Sequence, residues 1–376
     1  MRYEYIRAGQ FCAFDRDGTH DTPIPTEHGY KLVTGKHIRD GRVDHTEAYY
    51  ISEKDYNKIN ERSRVDQWDV LMSMIGNGLG RSAIVYDNPN YAIKNIALFK
   101  VRDEIKAKWL HYYLSGSEGQ GRIYNYLQGS GQPFISLTYL RDFPVPNPPR
   151  GLMSTIVGVL EKYDSLIDNN QKQIKLLEEA AQRLYREWFI DLRFPGHEST
   201  PVVDGIPVGW QKVAVTDLLE IKYGKDHKSL PDGNVPAYGS GGIMRKVASI
   251  LRSGESVLIP RKGSLNNIMY VSGDFWTIDT MFYSVPRMPN IVKYTYLYLR
   301  DLDMYSFNIG AAVPSMTVKI LEGISLLKPS ENVLTLFEGN LSPLFARKEA
   351  LKKQIETAGD IRDSLLSKLM TGEIVL

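Results

Sequence analysis

Three groupings in this 376-residue chain have residue types and spacing that could do chemistry. Gly76-Asn-Gly-Leu-Gly80 has the outline of a glycine loop that lays backbone N–H groups around a nucleotide cofactor. Asn147-Pro148-Pro149 has the outline of a clamp on an amino group, and the two strings together would suit methyl transfer from S-adenosylmethionine. His20, His28, His37 and His45 share one stretch and could ligate a metal. Each grouping fails on local grounds. A cofactor loop joins a strand to a helix, whereas Gly80 is followed by Arg81-Ser-Ala-Ile-Val-Tyr86, which reads as a strand. The clamp needs an aromatic ring after its prolines, and Arg150 stands there. The histidines lack ligand-pair spacing, and Ser136 and Ser315 have no nucleophile elbow around them. The chain reads as a binding device.

The elements that would carry such a device are set by two apolar seams. One runs Met153, Ile156, Leu160, Tyr163, Ile167, Asn170, Ile174, Leu177, Ala181, Leu184, Trp188. The other runs Leu334, Phe337, Leu341, Leu344, Lys348, Leu351, Ile355, Ala358, Arg362, Leu365, Leu369. This alternating three-and-four spacing predicts two long coiled-coil-like helices, each roughly 57 Å at about 1.5 Å per residue, that pair antiparallel. Asn170, Lys348 and Arg362 occupy seam positions, where they either snorkel and bond locally or fix the register. Ser342-Pro343 predicts a kink or a restart of the second helix, with Ser342 as N-cap.

Ahead of each seam the same landmarks recur in the same order. Val70-Leu-Met72 with Gly76 matches Val257-Leu-Ile259 with Gly263, and Lys108–Leu114 matches Lys293–Leu299. Ile135–Thr138 then matches Pro314–Thr317, and a proline-bearing exit follows each. Strands are expected at 69–74, 82–86 and 93–101, and again at 256–260, 268–271 and 277–285, with short helices at 106–114 and 292–299. The expected fold is α+β, a pseudo-twofold internal repeat with segments 1–149, 150–190, 191–329 and 330–376 as globular unit, helix, globular unit and helix.

Composition narrows the rest. A single cysteine, Cys12, excludes a disulfide framework, and 46 basic against 44 acidic residues leave a net charge of only +2. A protein holding nucleic acid would therefore need clustered cations or a partner that adds contacts. The N-terminus lacks a signal-peptide core, and no apolar run reaches the about 18 residues of a membrane span, so a cytoplasmic location is expected.

Nearly the whole chain resembles the specificity subunit of a type I restriction–modification system. The resemblance is carried by Val33-Thr-Gly-Lys-His-Ile-Arg-Asp-Gly41, Gly129-Ser-Gly-Gln-Pro-Phe-Ile-Ser136, Val235-Pro-Ala-Tyr-Gly-Ser-Gly-Gly-Ile243, Ile259-Pro-Arg-Lys-Gly-Ser264 and Thr277-Ile-Asp-Thr280. Leu177–Phe189 and Lys368-Leu-Met-Thr-Gly-Glu373 are similar to that family's helices. The resemblance implies two target recognition domains reading a split asymmetric site in double-stranded DNA, and a helix pair that sets the gap. It also implies two modification subunits that hold S-adenosylmethionine, and motor–nuclease restriction subunits. This chain itself would bind no cofactor and no metal. Polar and basic groups on the glycine-rich turns are the candidate DNA contacts: Lys36, Arg39, Asn77, Arg81 and Gln132, then Tyr238, Ser240, Arg245, Arg261, Lys262 and Asn308. For each, base contact and loop stabilisation stay open. The alternatives are a self-sufficient adenine-N6 DNA methyltransferase and a helical-rod adaptor whose globular parts bind proteins.

Overall fold

The structure is a computed structural model that describes residues 3–129, 133–308 and 313–374. The chain folds as two compact units. The first comprises residues 1–170 and 354–376, and the second 171–353.

In the first unit, strands Ala13–Asp17, Ile96–Lys100, Val70–Ser73 and Ser82–Ile84 form an antiparallel four-stranded sheet in that order. A second sheet places Tyr30–Val33 between Tyr50–Ile51 and Tyr91–Ile93, parallel to the latter. The entering strand Tyr5–Arg7 pairs with the exit strand Pro144–Pro146. Helix Glu104–Ser115 is buried or half-buried on nearly every side and sinks Trp109 and Tyr113 into the core. Met153, Ile156 and Leu160 from one long helix and Leu366, Leu369 and Met370 from the other complete that core.

The second unit repeats the plan. Leu219–Tyr223, Met281–Pro286, Ser256–Pro260 and Met269–Val271 make the matching antiparallel sheet, and Gln211–Ala214 pairs with Ser325–Lys328. Its second sheet also contains a parallel pair, Asp232–Gly239 beside Asp274–Thr277. Helix Val292–Asp301 takes the place of helix Glu104–Ser115. The equivalence extends to single bonds. The Trp109 indole donates to the Pro146 carbonyl at 2.7 Å, and the Tyr294 hydroxyl donates to the Leu327 carbonyl at the same point of the exit strand. Gly18 and Gly224 each follow the first strand of their sheet, where a Cβ would lie 2.3 Å from the Ile93 carbonyl oxygen and 1.9 Å from that of Ile278. Only glycine fits there.

Three expectations about the globular parts change. The run 93–101 is two strands, because Asn95 turns the chain at φ +53° between one sheet and the other. The run 277–285 splits in the same way at residues 278–280. The repeat partner of Ser136 is Thr317, not Ser315: each accepts a backbone N–H as N-cap of a short helix, Leu137–Asp142 or Val318–Gly323.

Helix Arg150–Tyr185 runs on into a wider turn at Arg186–Ile190, and the second long helix spans Glu331–Met370. All positions of both seams are buried or half-buried, including Leu184 and Leu365. Within each unit the helices pair antiparallel. Arg362 meets Asp164 at 2.7 Å and the Asn170 side chain donates to Gln354 at 3.3 Å in the first unit. In the second, Lys348 meets Glu178 at 2.6 Å, and the Trp188 and Phe337 rings lie 5.4 Å apart. Asn170, Lys348 and Arg362 thus each make a bond across to the other helix, and Arg362 also bonds its neighbour Asp363. The second helix does not restart at Pro343. That proline and Gly339 lie on the exposed face, so the carbonyl that loses its donor is left to solvent, and Ser342 donates to Glu338 instead of capping.

Candidate nucleic-acid interface

In the first unit, three loops meet at one end of the sheets. Strand Tyr30–Val33 runs into a tight turn at Gly35–His37, which the His37 ring fixes by accepting the Thr34 N–H at 2.9 Å. Strand Val70–Ser73 runs into another turn at Gly76–Gly78. The two turns touch because Gly35 has no side chain: a Cβ would lie 2.3 Å from the Ser73 hydroxyl. The third arm joins through Phe134, which bridges both Ile75 and Gln128, and through the Ile135 N–H to the Met74 carbonyl at 3.0 Å. Lys36 and Arg81 project from this cluster, exposed and without an ion-pair partner among the described residues. Arg39 is exposed beside them, its Nε donating to the Lys36 carbonyl at 3.0 Å. Burial, and then the charges of Lys36 and Arg39, hold the His37 imidazole below its ordinary pKa, against the opposing charges of Asp44 and Glu47. The Asn77 side chain and all of Gln132 lie outside the described residues.

The second unit builds the same cluster from its own loops. The Asn267 amide donates to the Ser240 carbonyl at 2.8 Å, and Gly263, at φ +86°, sits against the Ser240 side chain. The third arm joins through Gly263 N–H to Pro314 O at 3.0 Å and Met316 N–H to Arg261 O at 2.9 Å. Asn308 accepts the Ser315 N–H at 2.8 Å, and the exposed Tyr305 hydroxyl donates to the Gly263 carbonyl at 3.3 Å. Lys262 is exposed with no ion-pair partner among the described residues. Arg261 is half-buried over the Tyr223 ring and donates to the Asp279 carbonyl at 3.1 Å.

Ser240, Arg261, Lys262 and Asn308 are therefore brought together. Tyr238 lies beneath them, packed against the small core of Leu258 and Phe275, and burial raises its hydroxyl pKa. Arg245 is elsewhere, its guanidinium on Asp232 at 2.8 Å and on the Leu230 carbonyl. Asn266, Asn267 and Tyr305 belong to the cluster and escaped the sequence reading. Their signal was weak: an Asn pair just past Gly263-Ser264, and a tyrosine on an arm recognisable only once the repeat is aligned.

Such clusters suit recognition rather than bond-making. Lysine and arginine ends free of carboxylates can take phosphates or guanine edges, and amide and hydroxyl groups can pair with base edges. The strings that suggested methyl transfer are spent on structure. Gly76–Gly80 turns an antiparallel hairpin in which Val70 faces Ile84, so no helix N-terminus follows it. The Asn147 N–H bonds the Glu4 carbonyl at 2.9 Å, and Pro149 leads into the long helix. No group of three or more potential metal ligands occurs among the described residues, and no helix there is long and apolar enough to cross a membrane.

No family model matches the sequence. Curated relatives do. The chain is 25% identical over 304 residues to the type I restriction enzyme MjaIX specificity subunit of Methanocaldococcus jannaschii, covering 73% of this chain and 70% of that protein. It is 27% identical over 206 residues to the putative type I restriction enzyme MjaX specificity subunit of the same organism, covering 52% of this chain and 47%, about half, of that one. Among solved structures, the type I restriction–modification S subunit from M. genitalium matches with a TM-score of 0.59 at 17% identity, over 98% of this chain and 96% of that chain. The likeness to type I specificity subunits thus holds in sequence and, independently, in fold.

Proposed function

We propose that this relative of type I specificity subunits reads DNA sequence for a restriction–modification complex and performs no chemistry itself. The observation that carries the reading is the three-arm loop cluster, which each unit builds with at least one exposed cation that has no ion-pair partner among the described residues. Different residues on one repeated frame suit different half-sites, hence a split asymmetric target. The helix pair would set the gap: 36 helical residues reach roughly 54 Å at about 1.5 Å each, more than one DNA turn of roughly 34 Å. Two modification subunits would dock on the helical region, hold S-adenosylmethionine and add the phosphate contacts that a net charge of +2 does not supply. Restriction subunits would join to translocate and cut.

The test is to sequence methylated bases in a host carrying this chain with its modification subunit. A two-part motif with a fixed gap is expected. No motif, or one contiguous motif, would remove the two-reader proposal. Methyl transfer by the isolated chain, or its binding of S-adenosylmethionine in a calorimeter, would favour the methyltransferase alternative.

A further inference from the structure

The repeat leaves one place filled in the first unit and open in the second. In the first unit, helix Ser117–Asn125 lies over Tyr5 and Tyr113. Glu118 accepts the Tyr5 hydroxyl at 2.8 Å, and Arg122, one turn on, sits over the Tyr5 ring and on Glu118 itself. The helix gets this close because Gly119 has no side chain: a Cβ would lie 2.0 Å from the Tyr113 carbonyl oxygen. Tyr113 is fully buried as a result.

Strand register gives the matching positions. Tyr5 pairs with Pro146, and Lys212 pairs with Leu327. Pro146 and Leu327 are the carbonyls that receive Trp109 and Tyr294. Lys212 therefore stands where Tyr5 stands, and Tyr298, four residues after Tyr294, stands where Tyr113 stands. After helix Val292–Asp301 the chain turns at once into a short turn, Met304–Phe307, so no helix follows there, although Asp204 and Ile206 of the hairpin Val202–Pro207 line the place. What remains is a groove of about 370 Å³ lined by Tyr185, Phe189, Ile190, Tyr294 and Tyr298, with Lys212 and Asp204 at its edge. Ile190 is 58% exposed there, and Lys212 has no ion-pair partner among the described residues.

We infer that this groove receives an amphipathic helix of the modification subunit, which supplies in trans what helix Ser117–Asn125 supplies in cis. The expected helix is two to three turns long, with a small residue facing Tyr298 and an acid and a base four residues apart. The acid meets Lys212 and the base meets Asp204, as Glu118 and Arg122 are spaced in the first unit. The inference rests on the function proposed above and adds to it a site and a binding chemistry.

Its test uses the assembled complex. Lys212→Glu and Ile190→Ser change exposed side chains, and each should weaken binding of one of the two modification subunits at least tenfold by titration calorimetry. A photoreactive benzophenone at position 190 should crosslink to one helix of that subunit, and reversing the acid on that helix to lysine should restore binding to Lys212→Glu. Unchanged affinity in both variants, or crosslinks scattered over the subunit, would overturn the groove while leaving the DNA reading intact. An unaltered chain that fails to assemble would overturn both.

Discussion

Lys348 and Glu178 meet at 2.6 Å between the two long helices, and Lys348 is only 7% exposed. Arg300, from helix Val292–Asp301, approaches the other Glu178 oxygen at 3.0 Å. Burial opposes ionisation of this carboxyl, but the hydrogen bond and charge of Lys348, with Arg300, hold it below the usual range. One ion triad thus ties the helix pair to the globular part of its unit. A seam lysine in this setting is expected to specify register, because any slip would bury an unpaired charge.

Glu178→Ala should destabilise the protein by about 3 kcal/mol, since Lys348 is left buried without its carboxylate. Lys348→Met should cost about 1 kcal/mol or less, because Arg300 still pairs with Glu178 and the methionine fills the seam. Urea unfolding of both single variants and the double variant measures the coupling. Equal losses in the two singles would show that the pair does not define register.

Stability should fall as pH drops from 6.5 towards 4, because burial pushes the His111 imidazole down to about 4 from an ordinary 6.5. His111 bonds the Ser82 hydroxyl at 2.9 Å and lies against Gly41. The unfolded chain binds the proton in this window and the folded chain does not, so unfolding is favoured as pH falls. Below the ordinary carboxylate range, loss of the Glu178 charge removes further stability. Melting temperature against pH checks this, and His111→Gln should flatten the slope between 6.5 and 4.

Substitutions in one loop cluster should alter one half of the methylated motif and spare the other. Lys36→Ala with Arg81→Ala should lower affinity of the assembled complex and reduce the slope of log K against log salt by about 1 for each phosphate no longer neutralised. Asn267→Ala, which frees the Ser240 loop, should relax only the half-site read by the second unit. Methylome sequencing separates these outcomes, and a change in both half-sites would show that the clusters do not read independently.

Removing one heptad from each long helix at matched positions should shorten the gap in the motif by about three base pairs, since seven residues span roughly 10 Å and base pairs stack about 3.4 Å apart. Both half-sites should persist. An unchanged gap would mean the helices serve as core and not as a ruler.

The parts of this fold that were legible in the sequence were those with a period. The seams around Ile156, Leu177, Leu341 and Leu351 announced paired helices, and the repeat was visible at Val70 and Val257 because a buried strand can carry little but aliphatic residues. The change of sheet at Asn95 was invisible, because an apolar run looks the same whether it stays in one sheet or crosses to another. Arg245 looked like its neighbours at Ser240 and Arg261, yet a strand carries it away from the cluster to Asp232. Loop residues lack a period, and only the contacts among three separate loops define that surface. Pro343 misled for a related reason: proline breaks a helix where its lost hydrogen bond is buried, and this one is not.

The core that holds Met153 and Ile156 also holds Leu366, Leu369 and Met370. On the ribosome, these partners are separated by the synthesis of the whole second unit. All of residues 171–353 of the second unit are synthesised before residues 354–376, so the first unit keeps an open apolar face until those residues follow. A message truncated within those turns would release a chain with a finished second unit and an unfinished first one. Quality control of nascent chains would therefore act on the unit whose two segments flank the other.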